Sequence, residues 1–490
     1  MTYFAPSPKR INLISPPEQW DGYDHLMIIG QLPALAEAVA QTGLDLDAPL
    51  ASIKSAEKGG QATSFVRAGE AGSFKVTLCA LPEEASRMNC PARPDEVSKK
   101  VAEIKSERGR CGLLICPTRE GDLDALAAAV SRALPRFCRK SSSSSKRSAI
   151  DLAFVGVDHK SDLDRLEALI TAVSHAAEWV DAPPEEFHVP QFIEVARDVA
   201  LRADAEIDLF EGEQLMHMGA GGIWGVGRAA EHPPALVVLR GPRSAPDAAQ
   251  MVWVGKGVVY DTGGLSLKPK DSMGGMKMDM GGAAAVLAAF EAAAARGEAT
   301  DLCAVLCLAE NAIGPSAIRN DDILTMYSGK TVEINNTDAE GRLLLGDGVA
   351  YATQHLSPSI VVDVATLTGA QLIATGRSFA GIVCSDEELE ASVVRLGRQS
   401  GDLVHPLPYC PEFFSKEFKS EVADMKNSVK DRMNAQSSCA GHFVESHLTR
   451  SVKWLHVDIA GPAFISDRGT GFGVGLLVSI AGSWKRGELD

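Results

Sequence analysis

Short unbroken apolar runs alternate with longer stretches in which apolar residues recur every three or four positions. That alternation predicts an α/β chain. Early in the chain DHLMIIGQL, SFKVTLCAL and CGLLICPT read as strands, and DALAAAVSRALPRF, Asp124 to Phe137, reads as a helix. KSSSSSKR, Lys140 to Arg147, interrupts this order, because serines flanked by basic residues cannot pack a core; it reads as an exposed loop. IDLAFVGVD, Ile150 to Asp158, is a buried strand by pattern, and a helix is expected from Leu163 to Val180. DAPPEE, Asp181 to Glu186, stops that helix, since proline lacks the amide hydrogen and clashes with the preceding turn. The domain boundary is therefore placed at this helix: an N-terminal α/β domain over 1–180, with an interdomain helix at about 163–180, then a C-terminal domain over 181–490.

The second half is more punctuated. PALVVLRG, Pro234 to Gly241, and QMVWVGKGVVYDTGG, Gln250 to Gly264, are apolar enough for strands covered on both faces. GGAAAVLAAFEAAAARG, Gly281 to Gly297, predicts a helix whose small residues let it approach a sheet closely. DLCAVLCLAE, TVEI, SIVVDVATLTG, FAGIVCS and WLHVDIAG add strands, with a helix over Glu340 to His355 among them. GTGFGVGLLVSIAGSW, Gly469 to Trp484, is too short and glycine-rich for a bilayer span and reads as a buried strand and loop. The expected fold class is α/β, the C-terminal domain holding a mixed sheet flanked by helices. Ligand sites in open α/β sheets gather at one edge, outside the strand ends.

Composition narrows the function. Sixty-four acidic residues against 48 Lys and Arg leave a net charge of -16. Such a surface repels phosphate backbones and anionic membranes unless a local basic patch overrides it, so a generic nucleic-acid binder is disfavoured. The ten cysteines form no CxxC and several lie in apolar runs, as expected of buried thiols in a reducing compartment. The opening MTYFAPSPKRINLISPPEQWDG lacks the apolar stretch of a signal peptide, and a cytoplasmic location is expected.

Three stretches carry chemistry: VGKGVVYDTGGLSLKP (Val254 to Pro269), MKMDMGGAA (Met276 to Ala284) and NNTDAEGRLLLGD (Asn335 to Asp347). They bring Lys256, Asp261, Lys268, Asp279, Asp338, Glu340 and Arg342 into apolar, glycine-rich surroundings. Carboxylates in such surroundings must be paired, and a divalent cation is an efficient partner for several together. A lone Asp before Gly-Gly is ordinarily a turn residue, and Glu340 with Arg342 can be a plain helix start. The four carboxylates and three cations taken together point instead to an oxygen-rich metal site suited to Mn²⁺, Mg²⁺ or Zn²⁺. HExxH, G-x-S-x-G, G-x-G-x-x-G and P-loop patterns are absent from the sequence.

NTDAEGRL, Asn336 to Leu343, resembles the signature of the leucyl aminopeptidase (cytosol aminopeptidase) family. VGKGVVYDTGGLSLKP, MKMDMGGAA and VATLTGA (Val364 to Ala370) follow the order and spacing of that family, and the likeness runs from about Pro234 to the end. ENAIGPSAIRNDDI and ADMKNSVKDRMNAQSSCAG are similar to the animal branch called probable aminopeptidase-like 1. The resemblance implies two metals per subunit, zinc or manganese with magnesium as a further occupant of the exchangeable site. It implies bridging by Asp261 and Glu340, Lys256 and Asp279 at the tighter site, and Asp338 at the exchangeable one. It makes Lys268 the group that polarises the scissile carbonyl, and Arg342 the holder of a bicarbonate that serves as general base. Met276, Asn336, Thr366, Leu367 and Gly369 are implied to line the substrate site, together with Lys268. A homo-hexamer, a dimer of trimers acting on short peptides with a free N-terminus, is implied as well.

The family's N-x-P-x-G-x-A-x-x-P-G-D stretch is replaced here by ENAIGPSAIRNDD, Glu310 to Asp322, while every family ligand position is kept. The function expected is release of N-terminal leucine and other apolar residues. The alternatives are a narrow dipeptidase, for instance one acting on Cys-Gly, and a non-catalytic or nucleic-acid-binding homologue.

Overall fold

The computed structural model describes residues 4–17, 20, 22–53, 60–67, 73–105, 107, 109–141 and 149–489. The chain forms two compact units, one of Pro6–Ser174 with Gly397–Leu403, the other of Met1–Ala5, His175–Leu396 and Val404–Asp490.

The smaller unit is built on β1 (Ile11–Leu13), β2 (His25–Gln31), β3 (Gly60–Arg67), β4 (Ser73–Leu81), β5 (Cys111–Cys116) and β6 (Ile150–Phe154). Their order is β1-β6-β5-β2-β4-β3, parallel except for the β3–β4 pair. β5 is buried along its whole length, the signature of a strand covered on both faces. The helix predicted over Asp124 to Phe137 spans Leu123–Ala133. It ends early because Leu134 precedes Pro135, which pushes the residue before it out of the helical region. Residues 142–147 of the serine run lie outside the described residues.

The larger unit adds β7 (Glu206–Glu211), β8 (Ala235–Arg240), β9 (Gln250–Asp261), β10 (Leu302–Asn311), β11 (Ile323–Thr325), β12 (Thr331–Glu333), β13 (Pro358–Ala365), β14 (Ala380–Cys384), β15 (Val404–Pro406), β16 (Met425–Lys426) and β17 (Lys453–Asp458). Eight of these form a mixed sheet in the order β15-β14-β17-β13-β9-β10-β8-β7. β9 runs parallel to both its neighbours, β10 and β13, and β13 runs parallel to β17, while β8 and β14 enter antiparallel. A three-stranded sheet, β11-β12-β16, stands apart from it.

Helices cover the large sheet as the apolar pattern predicts. Gly281–Ala295 is buried nearly all round. Its small residues allow the backbone of β9 to come very near: a Cβ at Gly255 would lie 2.6 Å from Ala283 Cα. Met276–Ala295 is apolar and long enough to cross a membrane by composition, yet most of it is core of this unit. One expectation is overturned. The stretch from Gly469 to Trp484 is mainly helix, Val474–Lys485, and not strand and loop. Gly471 and Gly473 take positive φ in the turn before it, and the glycines inside the helix do not stop it because it is packed on all sides, against Gly281–Ala295 in particular. Tertiary burial outweighs a helix-propensity cost of about 1 kcal/mol per glycine.

Candidate metal centre and substrate cavity

β13 ends beside the middle of β9, and its C-terminal end and the last stretch of β9 open into a cavity of about 350 Å³. All twelve residues singled out from the sequence line it: Lys256, Asp261, Lys268, Met276, Asp279, Asn336, Asp338, Glu340, Arg342, Thr366, Leu367 and Gly369. Lys256 stands within β9 and Asp261 is that strand's last residue. Asp279 comes from the short 3₁₀ turn Met276–Met280, and Glu340 immediately precedes the helix Gly341–His355.

Local chain geometry explains the glycines around these groups. After Asp261 the chain turns through Gly263 and Gly264, at φ 84° and 63°, a region glycine enters without strain. The Gly263 amide then donates to Asp261 Oδ1 at 2.8 Å. Gly341 leaves room for a side chain: a Cβ there would lie 2.5 Å from Lys256 Cε.

The charges pair tightly. Lys256 Nζ lies 2.7 Å from Asp279 Oδ2 and 2.9 Å from Glu340 Oε1, and it donates to the Thr366 carbonyl at 2.9 Å. Lys268 Nζ lies 2.7 Å from Asp261 Oδ2 and 2.6 Å from Asp338 Oδ1. Burial pushes the Asp279 carboxyl well above the usual range, with Lys256 working against it, and it pushes Asp261 and Asp338 up as well. Burial draws both lysines the other way, but the carboxylates outweigh it and both ammonium groups are held above their ordinary value. Arg342, fully enclosed, is lowered to about 10 by burial.

These donors suit a hard or borderline dication. One oxygen from each of Asp261, Asp338 and Glu340 falls within 4.8 Å of the others. Asp279 Oδ2 and Asp338 Oδ1 are buried and near an ammonium group, yet neither has a partner in hydrogen-bond geometry. Such undirected lone pairs are what a metal ion would take up. Arg342 Nη1 donates to the Asn427 carbonyl at 3.0 Å, and its Nε is buried without a partner on the same cavity wall. That leaves the Nε donor free to meet an anion.

Sequence reasoning missed the residues that hold these carboxylates. Asn311, the last residue of β10, donates to Asp261 Oδ1 at 2.8 Å. Thr337 donates to the Gly263 carbonyl at 2.7 Å and accepts from Ser266 N, also at 2.7 Å, tying the Asp338 turn to the Asp261 turn. Asn427 donates to the Asn336 carbonyl at 2.7 Å and accepts from Asn335 N at 2.9 Å. Asp458, at the end of β17, accepts from Leu367 N at 3.1 Å and from the Thr368 hydroxyl at 2.7 Å, fixing the wall over 366–369. The opposite side of that wall is tied to the acids, because Thr366 Oγ1 donates to Asp279 Oδ1 at 2.8 Å. These are single residues in unremarkable local sequence; only the weak hint of polar groups at strand ends marked them.

Comparison with known proteins gives the same picture. The model of the cytosol aminopeptidase family, catalytic domain, matches residues 174–478, and that of the M17 aminopeptidase N-terminal domain 2 matches 24–143. The N-terminal match lies where the sequence offered no motif. The probable aminopeptidase NPEPL1 of Mus musculus is 48% identical over 420 residues, 83% of this chain and 79% of its own length. The apo leucyl aminopeptidase of Trypanosoma cruzi is 39% identical with a TM-score of 0.88 over 97% of both chains. That of Trypanosoma brucei, solved in complex with bestatin, is 38% identical with a TM-score of 0.86, over 94% of this chain and 92% of the other.

Proposed function

The chain belongs to the cytosol aminopeptidase family, on its NPEPL1-like branch, and is a metal-dependent aminopeptidase acting on the N-terminal residues of peptides; from that premise we propose the following division of labour. Asp261, Asp279, Asp338 and Glu340, with Lys256 as its neutral amine, would hold two divalent ions, zinc or manganese, with magnesium as a further occupant of the site at Asp338. Asp261 and Glu340 would serve both ions. Ions held there would supply Lewis acidity at the carbonyl and activate a water near neutral pH.

The chain's own groups do the rest. Lys268 Nζ, mobile once its carboxylates have another partner, donates to the carbonyl oxygen as negative charge develops there. Arg342 Nε would hold a bicarbonate, which would supply a general base beside the attacking water. Met276, Asn336, Thr366, Leu367 and Gly369 line the substrate's path, and Asp458 keeps the 366–369 wall in place. An apolar first pocket gives a broad preference for leucine-like residues, since one methylene is worth only about 1–3 kcal/mol. We place the enzyme in the cytoplasm, in keeping with the family's description and with buried thiols at Cys79, Cys90, Cys303 and Cys307. A homo-hexamer follows from the family resemblance, and light scattering at six times the 51.9 kDa subunit mass would bear it out.

The observation that carries this reading is the convergence of four carboxylates and two lysines in one cavity with the whole proposed substrate wall. The test is hydrolysis of a leucine-capped chromogenic amide by metal-stripped protein titrated with Mn²⁺, Zn²⁺ and Mg²⁺, with Glu340→Ala alongside. Activity restored by metal and absent from the folded variant supports the ligand assignment. A metal-loaded, folded enzyme inert on this and on a panel of free-amine peptides refutes it.

A further inference from the structure

Four cationic side chains line the cavity: Lys256, Lys268, Arg342 and Arg432. Three are committed. The lysines are paired with carboxylates at 2.6 to 2.9 Å, and Arg342 is buried and donates to the Asn427 carbonyl. Arg432 differs from them. It is exposed at the rim, and among the described residues it has no hydrogen bond and no ion pair.

Its mount, by contrast, is fixed. The Asp431 amide donates to Glu417 Oε2 at 3.0 Å, Asn434 Nδ2 donates to Glu417 Oε1 at 2.9 Å, and the Met433 amide donates to Asp431 Oδ1 at 2.9 Å. Both of these carboxylates, Asp431 and Glu417, are thus spent on the loop's own donors. They hold the backbone on both sides of Arg432 and leave its guanidinium unengaged. The other rim groups that could meet a peptide end, Ser428 and Gln436, are uncharged.

The cavity is small. At about 350 Å³ it lies near the low end of ligand pockets, ~300–1,000 Å³. In a two-residue peptide whose N-terminal residue sits at the acids, the free carboxylate follows one residue past the scissile bond, in the cavity that Arg432 lines, whereas a longer peptide carries it farther along the chain. A guanidinium offers a planar fork that matches a carboxylate. Resting on the aminopeptidase reading above, we propose that Arg432 is a specificity-determining residue that binds the C-terminal carboxylate of dipeptide substrates.

The test compares kcat/KM for Leu-Gly and Leu-Gly-amide on the metal-loaded full chain, for wild type, Arg432→Gln and Arg432→Lys, each checked for unchanged melting temperature. Wild type is expected to favour the free carboxylate about two- to fivefold, the range of an ion pair at an exposed rim. That ratio should fall towards one in Arg432→Gln, be partly kept in Arg432→Lys, and shrink with added salt in wild type. A wild-type ratio of one, or an Arg432→Gln ratio equal to wild type, overturns this inference while leaving the peptidase reading intact. Hydrolysis of neither peptide overturns the peptidase reading and this inference with it.

Discussion

Replacing Gly341 by alanine sets helix propensity against packing. Gly341 is the first residue of the helix Gly341–His355. Alanine is favoured over glycine in a helix by about 1 kcal/mol, so propensity alone predicts a more stable enzyme. Packing predicts the reverse. The new Cβ would lie 2.5 Å from Lys256 Cε and 2.7 Å from both Cδ and Nζ, whereas carbon atoms rest at about 3.5–4.0 Å. The lysine chain must therefore move by roughly 1 Å. It cannot do so freely, since its ammonium group is held by Asp279, Glu340 and the Thr366 carbonyl.

Removing one partner of a buried pair costs about 3–5 kcal/mol. A strained but surviving pair, less the propensity gain, leaves a net loss of about 2 kcal/mol in Gly341→Ala. A displacement of that size within a catalytic constellation costs about a hundredfold in rate. Urea unfolding of the metal-stripped protein measures the first quantity, and kcat/KM on a leucine amide with saturating Mn²⁺ measures the second. A variant as stable as wild type or more so, with undiminished kcat/KM, would show that Gly341 is not there to make room for Lys256.

Asn427→Ala removes the side chain that bonds Asn335 N and the Asn336 carbonyl, and outer groups of this kind are worth about 10–100-fold in metal affinity or activity. Metal titration by calorimetry should show weakened binding, and unchanged affinity would remove Asn427 from the ligand scaffold. Asp347 accepts from Ile223 N and Tyr327 N, both at 2.8 Å, while burial pushes its carboxyl up to about 7. An unfolded carboxyl titrates near ~3.9, so the fold binds the extra proton between those values and this group's contribution to stability is lost as pH rises towards 7. The stability margin of wild type over the non-titrating Asp347→Asn should therefore narrow by on the order of 2 kcal/mol between about pH 5 and pH 8; a margin that widens refutes the argument.

The acids and cations of the cavity were legible because their chemistry is contiguous. VGKGVVYDTGG and NTDAEGR carry acids, cations and turn glycines in single runs, so local sequence alone marks Lys256, Asp261, Asp338, Glu340 and Arg342. The residues that position them were not. Asn311, Thr337 and Asn427 act across 50, 74 and 91 positions of chain, and a lone Asn in a loop has no period or spacing to reveal that. WLHVDIAG was readable as a strand, but not that His456 would bond Asp363 on the neighbouring strand or that Asp458 would hold the 366–369 wall. The helix Val474–Lys485 was misread for a related reason: its glycines argue against helix locally, and only its enclosure by neighbouring elements makes helix the stable form.

The two kinds of residue do different electrostatic work. Four carboxylates, Asp261, Asp279, Asp338 and Glu340, face two lysines, which leaves a formal charge of two negatives before Arg342 is counted. A surplus of that sign in a low-dielectric cavity is costly to the fold and attractive to a dication. The groups that hold the carboxylates in place are neutral: the Asn311 amide on Asp261, the Thr366 hydroxyl on Asp279, and Asn427 around the Asp338 turn. Neutral donors fix geometry without cancelling charge, whereas further lysines or arginines would have stabilised the fold at the expense of cation affinity. The division of cations is consistent with this. Those inside are tied to carboxylates or to a backbone carbonyl, and the one left unengaged among the described residues, Arg432, stands exposed at the rim, where solvent screens its charge and leaves the surplus of the buried acids intact.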